Sequence, residues 1–369
     1  MNINKVNEKD IITRFINLVK IDSESYNEQN IIKYLTIELK KFGVKTYLQK
    51  VGDTGNLIAV LKGNKKGKPI FFNAHMDTVT PGKNIKPVIT DKLIKSDGTT
   101  VLGSDDKAAI AMFLEGLKYI TKHNIPHTDI YLVFTYAEEQ GLIGAKHLNF
   151  GLIAAKYGYS FDGDGKIGTV ILSAPTHYTY KLQIKGKASH AGIAPEKGKN
   201  AIKIASELIL KIKTGKIDEE TSANVGIIEG GRATNIVPDT VNVAGEVRSR
   251  NEDKLKKYIS ELKNTIKGIK AKHKTQIKFS LTKEYKGFSF SENSVLVKTI
   301  VHASKEIKVK PVFEHSNGGS DANIFNQNGL KCLNLGIGMQ KVHSTDEFIL
   351  KKDLINGLKL FISIIKNWE

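Results

Sequence analysis

The order of apolar periodicities predicts an α/β fold: a mixed, largely parallel sheet flanked by helices, into which a smaller α+β unit is inserted. Strand-like and helix-like runs alternate up to about residue 177, paired strands and two helices replace them over 178–287, and the alternation returns over 288–369. Length points the same way, since 369 residues exceed the size at which a single core usually keeps growing. The expected domains are 1–177 together with 288–369, discontinuous in sequence, and 178–287 between them.

Helical spacing marks DIITRFINLVK and NIIKYLTIELKKF, the second stopped at Gly43. NLIAVL (56–61) and PIFFNA (69–74) are short apolar runs that read as strands. AAIAMFLEGLKYITKH (108–123) is apolar at helical spacing behind Asp105 and Asp106, and the strand IYLVFTY, a short helix IGAKHLNF and YGYSFDG complete this part. In the insert, YKLQIKG, SANVGIIEGG, VNVAGEVRSR and IKFSLTKEY read as strands, and NAIKIASELILKI (200–212) and EDKLKKYISELKNTIKGI as helices. The return brings a helix SVLVKTIVHASKEI, a strand CLNLGIG and an amphipathic helix KKDLINGLKLFISIIKNW.

Composition narrows the function. Hydrophobic residues at 40%, charged residues at 25% and 8 Pro against 32 Gly leave no room for a long disordered tract. A net charge of +18 raises nucleic acid as a partner. The lysines are scattered, however, without interleaved aromatics, and the arginines are few (Arg14, Arg232, Arg248, Arg250), so the charge reads as solvated faces and no nucleic-acid partner is expected. The single cysteine, Cys332, excludes an internal disulfide and any multi-cysteine zinc site, and fits a reducing compartment. The N-terminal MNINKVNEKDIITRFINLVK carries charges where a signal peptide needs an apolar run, and no stretch approaches the ~20 apolar residues of a membrane helix. A cytoplasmic protein with no membrane partner is expected.

The chemistry-bearing residues follow the apolar strands. FNAHMDTV places His75 and Asp77 two apart beyond a strand end, the edge where open α/β sheets bind ligands. That spacing suits a metal ligand whose ring is oriented by a carboxylate, although both residues could be ligands and, taken alone, the motif reads equally as a satisfied surface histidine. In LGSDDKAAIAM one aspartate satisfies the reading of a helix N-cap with an acidic first turn, and the second is free to bridge two cations, a carboxylate having two oxygens. TYAEEQG sets Glu138 and Glu139 at the end of the strand IYLVFTY, where alternation turns neighbours in different directions. Asp162 in YSFDGDG and His343 in MQKVHSTDEFI also follow apolar runs. Together His75, Asp105, Glu139, Asp162 and His343 supply two imidazoles and three carboxylates, enough for two zinc ions sharing one aspartate.

These motifs, in this order, identify the chain as a member of the dinuclear zinc exopeptidase and deacylase family that includes tripeptidase T, carboxypeptidase G, aminoacylase and succinyl-diaminopimelate desuccinylase. AHMDTVTPGKNIKPVI and SDGTTVLGSDDKAAIA are most similar to the tripeptidase T-like subgroup. The resemblance implies a zinc-exopeptidase-like catalytic domain, an inserted lid and dimerisation domain, a homodimer, and two zinc ions per subunit, with cobalt or manganese also suited to such sites. It implies that His75 and Asp162 complete one metal site and His343 and Glu139 the other, with Asp105 bridging, Asp77 orienting His75, and a cis Asp105–Asp106 peptide. A metal-bridging water would be the nucleophile and Glu138 the general base and acid. His190, brought in relatives by the partner's lid, would stabilise the oxyanion, Asn235 and Arg248 would hold the substrate carboxylate, and Gly318 and Gly319 in HSNGGSDANIF (315–325) would form a substrate loop. For Arg248 a salt bridge on the strand surface is the competing reading. The implied activity is that of a metallopeptidase, a tripeptide aminopeptidase acting on short peptides. An N-acyl-amino-acid deacylase or carboxypeptidase on the same scaffold is the alternative, and a non-catalytic binding relative is disfavoured because every ligand and the base are present.

Overall fold

Three strands run parallel side by side with their chain directions matched: Ile130–Thr135 beside Ile70–His75, and Ile70–His75 beside Tyr157–Gly163. Lys331–Gly336 adds a fourth in the same sense. Antiparallel strands extend the sheet on either side, Thr54–Leu61 and Lys45–Val51 at one edge and Thr169–Ala174 at the other. The sheet is thus mixed with a parallel centre, as expected for apolar strands buried on both faces. The computed structural model of the chain describes residues 6–369; residues 1–5, the start of the charged stretch read above, lie outside the described residues.

Alternation along Ile70–His75 explains how both faces are filled. Phe72 joins Phe113, Phe161 and Phe361 in an aromatic cluster, with ring centroids 4.6 Å apart for Phe72 and Phe361 and 5.0 Å for Phe113 and Phe361. Phe71, the next residue back, stacks instead on Phe325 at 5.1 Å. The first face is covered by helices Ser104–Lys122 and Lys351–Asn367, with Glu8–Val19 packed against them. Because the central strands are parallel, the residues that follow Ile70–His75, Ile130–Thr135 and Lys331–Gly336, and Asp162 near the end of Tyr157–Gly163, fall along one sheet edge.

Contacts divide the chain into two units. One runs to Leu172 and resumes with Ser289–His315 and Ser320–Glu369; the other is Ser173–Phe288 with Ser316–Gly319. The second unit holds a five-stranded antiparallel sheet, ordered Gly215–Lys216, Thr221–Gly230, Thr240–Ser249, Thr176–Lys185, Ile277–Tyr285. Helices Ala201–Lys211 and Glu252–Lys272 bury Ile204, Leu208, Leu255 and Leu262 with Leu182, Ile184, Val241 and Val243. Residues 316–319 had been read as part of the first domain. They cluster with the second because Ser316 donates its N–H to the Ser173 carbonyl at 2.9 Å and a Cβ on Gly319 would lie 2.3 Å from the Tyr285 ring.

Gly116, inside helix Ser104–Lys122, tests how tightly the aromatic cluster is packed. A Cβ there would sit 2.3 Å from Phe361. Gly116→Ala gains up to about 1 kcal/mol of helix propensity, but overpacking a ring held by three other aromatics costs about 1–3 kcal/mol. The variant is expected to unfold at lower denaturant concentration with an unchanged slope; equal or greater stability would show that the cluster yields.

Candidate metal centre

Asp105 presents its two oxygens to two histidines. Oδ1 lies 2.9 Å from Nε2 of His75 and Oδ2 lies 3.3 Å from Nε2 of His343. Asp162 Oδ1 is 3.9 Å from the same nitrogen of His75, and Glu139 Oε1 is 2.9 Å from that of His343. The five residues named as ligands from sequence are therefore brought near one another, and Asp106, which was not named as one, joins them. Their donor atoms suit divalent cations bound by nitrogen and oxygen: among the described residues, His75, Asp105 and Glu139 offer atoms all within 4.8 Å of one another, as do His75, Asp106 and Asp162.

The local backbone explains these positions. Ile130–Thr135 stops one residue sooner than expected, and Ala137 takes a left-handed conformation (φ 45°) that swings the chain into a short 3₁₀ turn over Glu138–Gln140. Strand alternation therefore does not separate Glu138 from Glu139, contrary to expectation; the turn does. His343 is also left-handed (φ 61°), which an L-residue adopts only sparingly and which aims this exposed side chain back at the cluster. The Asp105–Asp106 peptide is cis. Neither aspartate caps the following helix: the N-cap is Gly103, and Asp105 and Asp106 lie inside the first turn at non-helical angles.

Around the ligands, buried acceptors hold backbone amides. His75 Nδ1 donates to the Asp77 carbonyl at 3.0 Å, which leaves Nε2 free to be a ligand. The Asp77 carboxylate lies farther from that nitrogen, at 3.4 Å. It accepts instead from the Glu138 N–H (2.9 Å), the Glu139 N–H (3.3 Å) and the Ser25 hydroxyl (2.7 Å). Asp77 thus orients His75 through its main chain and the Glu138–Gln140 turn through its side chain. Glu28 does similar work, accepting from Ala137 N–H at 3.0 Å and Thr54 hydroxyl at 2.5 Å. Ser25 and Glu28 were not recognised in the sequence, where SESYNEQ reads as an ordinary polar link.

The charges are arranged for cations. Burial, reinforced by Asp162, pushes the Glu138 carboxyl well above its ordinary range. Burial together with Asp105 does the same to Asp162, and burial raises Asp106. Burial alone would lower His75, but hydrogen bonds to Asp105 and Asp77 raise it well above the usual imidazole value, and Asp105 and Glu139 push His343 up to about 10. Without cations, protons gather where positive charge is wanted.

In the second unit, His190 Nδ1 accepts the N–H groups of Gly192 (3.2 Å) and Ile193 (3.1 Å). Its proton is thereby assigned to Nε2, on an exposed ring. Asn235 lies alongside, its carbonyl accepting the Ala191 N–H at 2.9 Å. Arg248 is engaged by Glu246 through two bonds of 3.1 and 3.0 Å, the surface salt bridge that competed with a substrate role. Arg250, not singled out from sequence, holds the glycine loop through Asn317 and bonds the Glu219 carbonyl at 2.6 Å. Gly319 has a packing reason to lack a side chain, the Tyr285 ring, while Gly318 has open space apart from Ser316.

Comparison with known proteins agrees with this geometry. Residues 175–274 match a family described as a peptidase dimerisation domain, and residues 56–181 match peptidase family M28. The chain is 39% identical to the aminopeptidase PepT of Bacillus cereus, covering 98% of this chain and 99% of that one, with a TM-score of 0.91. The chain belongs to the PepT family of aminopeptidases. A tripeptidase of Staphylococcus aureus is 35% identical over 98% of both chains with a TM-score of 0.94, and a peptidase T of Bacillus velezensis is 28% identical over 98% of this chain and 99% of its own. The chain is a hydrolase and a metal-dependent peptidase, and the cluster around Asp105 is its candidate metal centre.

Linkage gives a pH dependence for the metal-free protein. Asp106, Glu138 and Asp162, whose folded-state pKa values are raised, favour folding below the ordinary carboxylate range and lose that contribution as pH climbs. His75 and His343, also raised, lose theirs as pH rises through their folded values. Asp77 and Asp105 are lowered, and their contributions vanish only in acid. Protein stripped with a chelator is therefore expected to melt at progressively lower temperature from about pH 5 to about pH 9, and zinc added at about pH 8 should reverse the loss. A melting temperature that is flat or rises over this range contradicts the charge assignment.

Proposed function

We propose that the chain is a two-metal aminopeptidase that hydrolyses short peptides, with Glu138 as general base and acid. The observation that supports it most strongly is the sharing of Asp105 between His75 and His343, with Glu138 buried beside the cluster but outside the histidine–carboxylate pairs. His75 and Asp162 would hold one cation and His343 and Glu139 the other, zinc being the best match and cobalt or manganese chemically suited. Bound there, two divalent cations supply Lewis acidity, lowering the pKa of a water and polarising the scissile carbonyl.

The chain's own groups do the rest. Glu138 takes the proton released by the attacking water and gives it to the departing amine, a role suited to a carboxyl whose proton affinity is raised by burial. Asp77 fixes the turn that aims Glu138. His190, with Nε2–H exposed, is the donor assigned to the oxyanion, and Asn235, beside it, a second donor. Arg248 would take the substrate carboxylate in competition with Glu246, and Gly318 and Gly319 would line the substrate loop. The buried, unpaired Cys332 accords with a cytoplasmic location.

A homodimer is supported by the match to a peptidase dimerisation domain and by an open strand edge in the second unit. Thr221–Gly230 pairs with Thr240–Ser249 along its length, but on its other side meets Gly215–Lys216 only at Ser222 and Ala223. Beyond that, Ile227 and Ile228 are 54% and 51% exposed on an open edge, and a second copy is the occupant we assign.

Glu138→Gln should retain both metals and lose roughly 10²–10⁴-fold in kcat on tripeptides, whereas Glu139→Gln should lower metal content. Near-native turnover in Glu138→Gln contradicts the base assignment. Activity on N-acetyl or N-succinyl amino acids, with none on di- or tripeptides, would turn the reading to a deacylase. Ile228→Asp should convert the dimer to monomer in sedimentation, and a dimer unaffected by it would place the interface elsewhere.

A further inference from the structure

The helix that follows Asp105 begins without a cap of its own. Its N-cap, Gly103, has φ +74° and no side chain, so the first amides of helix Ser104–Lys122 need an acceptor from elsewhere. Glu347 supplies it. Its carboxylate, fully buried, accepts the N–H groups of Leu102 (2.7 Å) and Gly103 (2.9 Å) on Oε2. On Oε1 it accepts the N–H (2.7 Å) and hydroxyl (2.5 Å) of Ser104 and the N–H of Asp105 (3.3 Å). A carboxylate has about four acceptor positions on its two oxygens, so four of these bonds can be full ones and the longest, from Asp105, is shared.

Glu347 also belongs to the loop that carries His343. Its own N–H returns to the Ser344 carbonyl at 3.2 Å, the Ser344 hydroxyl bonds the Lys341 carbonyl at 2.7 Å, and the Glu347 carbonyl accepts the Ser96 N–H at 2.9 Å. The Asp105 main chain and the His343 loop are thus joined through one side chain. His343 is exposed and left-handed.

We propose that Glu347 is a positioning residue for the metal centre: by binding the amides of residues 102–105 it holds Asp105 at bridging distance from His343. It touches neither metal nor substrate. The proposal rests on the ligand reading of Asp105 and His343 given above. Glutamine at 347 keeps the shape but turns an amino group toward donors, leaving buried amides unpaired.

Wild-type and Glu347→Gln chains, stripped of metal, are titrated with zinc by calorimetry, their kcat and KM are measured on a tripeptide, and exchange of the residue 102–105 amides is followed. Glu347→Gln is expected to keep its far-ultraviolet spectrum, to bind zinc roughly 10–100-fold more weakly, to lose kcat with KM changed by less than about threefold, and to lose amide protection at 102–105. Should that variant fail to fold, Ser104→Ala, which removes one of the five bonds, is expected to weaken zinc several-fold in the same direction. Wild-type zinc affinity and kcat in a folded Glu347→Gln chain, or in Ser104→Ala where the first does not fold, overturn the proposal alone. A wild-type chain that takes up no zinc overturns the ligand reading and this inference with it.

Discussion

Asp105 sits between two histidines, one oxygen to each, with Asp162 and Glu139 placed behind them. Charges of one sign a few ångströms apart in a partly buried site repel by several kcal/mol at an effective dielectric near 20. Such a cluster persists only if cations or protons offset it. Raised carboxyls at Glu138 and Asp162 and raised imidazoles at His75 and His343 express this constraint in the metal-free chain. The parallel strands bring these candidate ligands to one edge, and their repulsion calls for positive charge there.

Most of the surrounding structure can be understood as support for that arrangement. Asp77 and Glu28 hold the amides of residues 137–139 from opposite parts of the chain. Ser25 fixes Asp77, and Ser23 and Lys107 tie the same segment to Met76 and Ile21 carbonyls at 2.8 and 2.7 Å. Lys107 is fully buried and, with burial pulling it down against nearby carboxylates, its pKa falls to about 8. The centre is therefore backed by fixed dipoles and hydrogen bonds rather than left to mobile loops, as preorganised catalysis requires.

What could be read from sequence divides along the range of the interactions. His75, Asp105, Glu139, Asp162 and His343 were legible because each follows an apolar strand or a helix start, and parallel strands bring such positions to one edge. The separation of Glu138 from Glu139 was anticipated for the wrong reason, since left-handed Ala137 and not the pleat turns them. Ser25, Glu28 and Glu347 escaped notice because their partners are backbone amides distant in sequence, which no local pattern encodes. In the second unit, Arg248 and Glu246 stand two apart on one strand, so alternation puts both on one face and the surface salt bridge was a local reading.

The central claim is that Asp105 is shared by two cations. Crystals of the zinc-loaded protein, with diffraction recorded above and below the zinc absorption edge, test it most directly. The account predicts two anomalous peaks per subunit, one beside His75 and Asp162 and one beside His343 and Glu139, each in reach of a different oxygen of Asp105. A single peak, or two peaks of which one is remote from Asp105, would contradict it.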